Sequence, residues 1–239
     1  MTESQFARTA TAANIDIDAG LRAHMTKVYG LMAVAMIITG AVAYAVGTSP
    51  TLLMAIFATP LKWVVMFAPL VVVFIFGSKI MSMKYETAQL VFWTFAALVG
   101  LSISYIFAIY TGIEIGQAFF STAVAFAALS LYGYTTKRNL GPLGSFLIIG
   151  VVGLIVVSII NIFMANEGLS IAISAIGVLL FAGLTAYDTQ NIKNTYLQLR
   201  VAQGEEFAAK AGIMGALQLY LNFLNMFIML LHLMGAMRE

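Results

Sequence analysis

Hydrophobic positions in this chain come in long unbroken runs, with charges confined to the gaps between them. Seven runs approach the roughly 20 residues that a helix needs to cross a bilayer: Val28 to Val46, Leu61 to Gly77, Ala88 to Tyr110, Gly116 to Tyr134, Leu143 to Met164, Leu169 to Tyr187, and Ile213 to Met234. The runs are continuous rather than alternating, which excludes a membrane β-barrel. The pattern predicts an all-α integral membrane protein with seven transmembrane helices. The second run is short, holds Pro69, and follows an apolar stretch, Leu52 to Ala58, that reads as interfacial.

Composition agrees. The chain is 62% hydrophobic and 9% charged, with mean hydropathy +0.97, where soluble domains carry about 25% charged residues. A net charge of +2 without a basic cluster gives no sign of nucleic-acid binding. The absence of cysteine excludes disulfides, thiolate zinc sites and a cysteine nucleophile. Glu3, Asp16 and Asp18 make the start unlike a cleaved signal peptide. Residues 1–24 read as a cytoplasmic tail and residues 25–239 as one membrane domain.

Basic residues orient the spans. Arg8, Arg22, Lys27, Lys79, Lys84, Lys137, Arg138, Lys193, Arg200 and Lys210 fall on one side, and only Lys62 and Arg238 on the other. The N-terminus is therefore expected in the cytoplasm and the C-terminus across the membrane. The segment Asn194 to Lys210 is expected as a cytoplasmic loop.

Two features carry candidate chemistry. Asp188 closes the uncharged sixth run and opens the string Asp188-Thr189-Gln190-Asn191. A carboxylate at the end of a membrane span marks an ion path, a proton site or a structural pair, with a nearby Lys as the structural partner. The seventh run carries Gln218, Asn222, Asn225 and His232, whose spacing places them on one helical face. Such a face either hydrogen-bonds to other helices or lines a wet path. Asp188 lies about 28 Å from Leu169 and Asn222 about 14 Å into its run. The two are expected to meet only if the Gly212/Gly215 end of the last helix protrudes or water reaches inward. His232 reads as a packing or interfacial residue rather than a metal ligand. Scattered hydroxyls at Ser102, Ser104 and Ser158, and Asn161, receive no separate role.

Four strings together resemble the Bax inhibitor-1 family, the transmembrane Bax-inhibitor-motif proteins, in its bacterial inner-membrane branch. They are Gly20-Leu21-Arg22 running into Met25 and Val28-Tyr29-Gly30; Leu131-Tyr132-Gly133-Tyr134-Thr135-Thr136-Lys137-Arg138; Gly183-Leu184-Thr185-Ala186-Tyr187-Asp188-Thr189-Gln190; and Leu219-Tyr220-Leu221-Asn222-Phe223-Leu224-Asn225. The resemblance implies a central seventh helix wrapped by two three-helix groups, and a pH-sensitive calcium leak gated by two aspartates that share a proton. Asp188 matches the first aspartate, but Asn222 stands at the second. Lys79 matches a basic latch for the second aspartate.

An amide cannot titrate, so the paired switch is expected to be weakened, and calcium held at Asp188 is expected to be weakly bound. The resemblance makes the expected function a cation leak channel or transporter, with Gln218, Asn222 and Asn225 lining the path beside Asp188. It implies no cofactor, and its partners are the bilayer and cations, calcium among them. The alternative is a binding protein that modulates a membrane-anchored ATP-dependent protease. An enzyme is not expected: an intramembrane aspartyl protease lacks its second embedded Asp, and a retinal protein lacks a Lys within the last span.

Overall fold

The computed structural model describes residues 3–203 and 205–237, with side chains over 19–199 and 206–237. Nine α-helices follow one another, with no strand among the described residues. They are α1 (Glu3–Gly47), α2 (Pro50–Phe57), α3 (Leu61–Lys79), α4 (Tyr85–Ile103), α5 (Ile106–Ile109), α6 (Gly112–Thr135), α7 (Gly141–Met164), α8 (Glu167–Gln203) and α9 (Glu205–Ala236). Seven are long and apolar enough to span a membrane: α1, α3, α4, α6, α7, α8 and α9. Helices suit these runs because lipid offers backbone groups no hydrogen bonds, so each must be satisfied within the segment. The short α2 buries none of its residues, in keeping with an interfacial position.

The last helix is the centre of the bundle. In its apolar window 61% of the residues are buried, against 39% or fewer in every other span. It packs directly against α1, α4, α6 and α8. The remaining spans form two groups of three, with α3 resting on α4 and α7 resting on α8. These two outer helices reach α9 least, which leaves room between α7 and α9.

Polar side chains pin the core. Thr39 of α1 donates to the Ala96 carbonyl at 2.9 Å, and lies 2.7 Å from the Tyr220 hydroxyl. The threonine proton is already engaged, so Tyr220 donates to Thr39. Tyr220 is fully buried between Phe92 and Phe95. Pro69 removes the N–H that would otherwise bond the Val65 carbonyl within α3. Ser102 of α4 donates to that same carbonyl, so this hydroxyl repairs the gap that the proline opens. Asn161 joins α7 to α8 by donating to Ser170 at 2.8 Å and accepting from the Asn166 N–H at 3.1 Å. It does so across the turn where Ala165 takes a left-handed conformation (φ 48).

Close backbone approach fixes α8 against its neighbours. A Cβ on Gly133 of α6 would collide with the Ala186 carbonyl, and one on Gly144 of α7 would collide with the Tyr187 ring. Gly150 likewise meets Leu180, whereas Gly153 meets nothing. Gln190 ties α8 to the turn after α6, accepting from the Leu140 N–H and donating to the Arg138 carbonyl, both at 2.8 Å.

Helix α1 is continuous through Val28 and back to Glu3, because a polar sequence does not end a helix that has no breaker. Two expectations, both at the ends of α8 and α9, are corrected. The side chains of residues 1–18, and with them Arg8, lie outside the described residues, as do those of Arg200 and Arg238. The loop expected over Asn194 to Lys210 is helical on both sides, with α8 reaching Gln203 and α9 starting at Glu205. Charges at Asp188 and Lys193 mark a change of surroundings, not the end of α8.

Candidate functional site

The extension of α8 and α9 decides where Asp188 sits. The helix long and apolar enough to cross a membrane runs from Glu167 to Leu199 in α8, so it continues about 17 Å beyond Asp188. In α9 the corresponding stretch starts at Glu206, seven residues before the expected Ile213. This moves Asn222 toward the middle of the bundle and brings the two levels together. Asn222 Nδ2 donates to Asp188 Oδ2 at 2.6 Å. The structural alternative for Asp188, a pair with a nearby lysine, does not form. Lys193 instead donates to the Tyr134 carbonyl at 3.0 Å, at the end of α6.

The polar face of α9 looks into space. A cavity of about 560 Å³ lies between α7 and α9, with Asp188, Gln218, Asn222 and Asn225 on its wall. Leu154, Ile155, Phe181 and Leu184 make much of the remainder. Gln218 also lines a smaller cavity of about 250 Å³ toward the basic end, beside His24, Asn191 and Thr195. In the other direction, Ser158, Ile162 and Met229 are shared with a third cavity of about 530 Å³, which holds His232, Asn161 and Glu167. A fourth shares Tyr110, Glu167 and His232 with the third, and adds Glu114. The stripe of polar residues on α9 thus follows a chain of adjoining cavities from one end of the bundle to the other.

The individual side chains differ in what they leave free. Asn222 is buried and committed to Asp188. Asn225 donates one Nδ2 hydrogen back to the Leu221 carbonyl at 2.9 Å and lines the cavity. His232 Nδ1 lies 2.9 Å from the Ser174 hydroxyl. Lys79 is exposed at the end of α3 and makes no hydrogen bond or ion pair with its side chain among the described residues. It therefore holds neither member of the pair here.

Asp188 is the one carboxylate on the central cavity. Among the described residues, no group of three or more His, Asp or Glu side chains comes close enough to hold a metal ion. Calcium prefers six to eight oxygens with carboxylates among them. One carboxylate with neutral amides falls short of that set.

The sequence reading missed Tyr220, Gln190 and Ser102. Each lay in a motif or an apolar run, but its partner is a backbone carbonyl or a hydroxyl on a distant helix, which a single sequence does not locate.

A seven-helix membrane protein built around a polar central helix is the class that fold and site define. The family model described as "Inhibitor of apoptosis-promoting Bax1" matches residues 21–239. The chain belongs to this family. It is 44% identical to an uncharacterized protein of Caulobacter vibrioides, over 96% of this chain and 95% of that one. It is 41% identical to the uncharacterized protein RP147 of Rickettsia prowazekii, over 97% of both chains. With the inner membrane protein YbhL of Escherichia coli K12 it shares 38% identity, over 92% of this chain and 94% of the relative.

Proposed function

We propose that this protein lets cations, calcium among them, cross the bacterial inner membrane along the polar face of α9. The observation that carries this reading is the Asp188–Asn222 pair on the wall of a chain of cavities that accompanies α9 through the bundle. A membrane-embedded carboxylate is costly unless it serves a pair or a path. Here the pair is with a neutral amide, so negative charge remains to attract a cation. Gln218 and Asn225 add polar groups on either side.

Location and orientation rest on two supports. The relative YbhL is named an inner membrane protein. Arg22, Lys27, Lys79, Lys84, Lys137, Arg138, Lys193 and Lys210 gather at one end of the bundle, while Lys62 stands at the other. That asymmetry supports a cytoplasmic N-terminus. The pair differs from two facing aspartates in one physical respect. Two close carboxylates share a proton and switch with pH, whereas an acid and an amide have one titrating member. Flux is therefore expected to depend on pH less steeply than a shared-proton pair would make it.

The experiment is calcium uptake into liposomes that contain only the purified protein, followed from acidic to basic pH. Uptake above that of protein-free liposomes supports the reading. Uptake equal to theirs at every pH, with the protein folded, sinks it and leaves the binding-protein alternative, in which a membrane protease is the partner.

A further inference from the structure

A second concave surface lies away from the α9 path, between α1 and α6. Arg22, Met25, Thr26 and Tyr29 form one wall, at spacings that place them on a single face of α1. Phe126, Ser130, Leu131 and Tyr134 form the other, one face of α6. The cleft measures about 640 Å³. From Tyr134 to Phe126 it descends about 12 Å along α6. Its sides are apolar and open: Leu131 is 63% exposed. Both walls belong to membrane-spanning segments, so the medium meeting this opening is the bilayer.

We propose that this cleft is a binding site for an anionic phospholipid, with the phosphate on Arg22 and an acyl chain along Met25, Tyr29, Leu131 and Phe126. Charge complementarity commits the site to this occupant. Arg22 lies at the start of its span, is exposed, and has no ion pair among the described residues. Among the described residues no acid lines the cleft. Lys137 and Arg138 stand exposed in the turn just beyond Tyr134, at the same end. A guanidinium matches a phosphate in two parallel hydrogen bonds, and basic groups at this level favour anionic over neutral lipid.

The floor also meets the residues that flank the Asp188–Asn222 pair. Phe126 packs edge-on against Phe223 at 5.5 Å, and Thr189 lies 3.4 Å from the Ser130 hydroxyl. The inference nevertheless stands apart from the ion-path reading, since it is tested by binding alone.

The test is a titration by native mass spectrometry of the full-length protein in detergent with phosphatidylglycerol or phosphatidylcholine. The wild type is expected to bind phosphatidylglycerol more tightly. Arg22→Gln should lower that affinity about fivefold, the value of one basic contact near a membrane surface, and leave phosphatidylcholine unchanged. Leu131→Trp, which fills the cleft, should lower the affinity for both lipids. Equal affinities for the two lipids in the wild type would overturn the proposal. So would an Arg22→Gln protein that keeps its full affinity for phosphatidylglycerol, or a Leu131→Trp protein that binds both lipids as before.

Discussion

Removing both members of the Asp188–Asn222 hydrogen bond, singly and together, measures what the pair is worth. The bond is short, 2.6 Å, and its donor is buried. Hydrogen bonds to charged groups contribute about 1.5–3 kcal/mol in soluble proteins. Interhelical polar contacts in membranes average about 0.6 kcal/mol and reach about 1.7. Burial and charge place this pair near the upper membrane figure, at about 1.4 kcal/mol, tenfold in the unfolding equilibrium. Asn222→Leu alone should cost about 1 kcal/mol, because it leaves the carboxylate without its donor. The assay is reversible unfolding in mixed micelles at rising denaturing-detergent content, for wild type, Asn222→Ala, Asp188→Ala and the double variant. If the two single effects add to the double within about 0.3 kcal/mol, the side chains do not interact and the site as described is wrong.

Ser102→Ala should destabilise by about 1 kcal/mol in the wild type and by less in a Pro69→Ala background, where an N–H again reaches the Val65 carbonyl; equal losses in both, read by the same unfolding assay, would detach Ser102 from the proline. The chain has no cysteine, so Asn225→Cys should react with a membrane-impermeant thiol reagent while the fully buried Leu219→Cys stays unmodified; an inert Asn225→Cys would mean that the cavity is dry. A reporter fused to the C-terminus should be active only outside the cytoplasm, and activity inside would reverse the orientation.

The spans were legible because they follow from hydrophobic runs; the central position of the last helix was implied by the family resemblance, and the polar stripe on that helix agrees with it. A helix that keeps four polar residues on one face needs partners or water there; Asn222 is buried against Asp188, while Gln218, Asn225 and His232 are half-buried and border the cavities. The ends of the helices were not legible. Asp188 and Lys193 looked like a membrane boundary, yet Lys193 is spent on the Tyr134 carbonyl and α8 continues beyond it. On the expected helix ends, Asp188 and Asn222 met only if the Gly212/Gly215 end of the last helix protruded, and α9 does begin well before those glycines. The cavity was invisible for another reason. It exists because α7 packs on α8 and leaves α9 uncovered, and no periodicity within α7, apolar almost throughout, records which side faces the gap. Lys79 was singled out by the family resemblance, and with Asn222 at the second position there is no second carboxylate on the pair for it to hold.

The central claim is that cations pass beside Asp188. Calcium flux into liposomes should be compared at several pH values for wild type, Asp188→Asn and Asn222→Asp, each shown to be folded. The account predicts that Asp188→Asn lowers flux at every pH, because it removes the one carboxylate on the cavity. It predicts that Asn222→Asp gives flux a new pH dependence near neutrality, because two carboxylates at that distance share a proton. Wild-type flux from Asp188→Asn, together with an unchanged pH profile from Asn222→Asp, would contradict it.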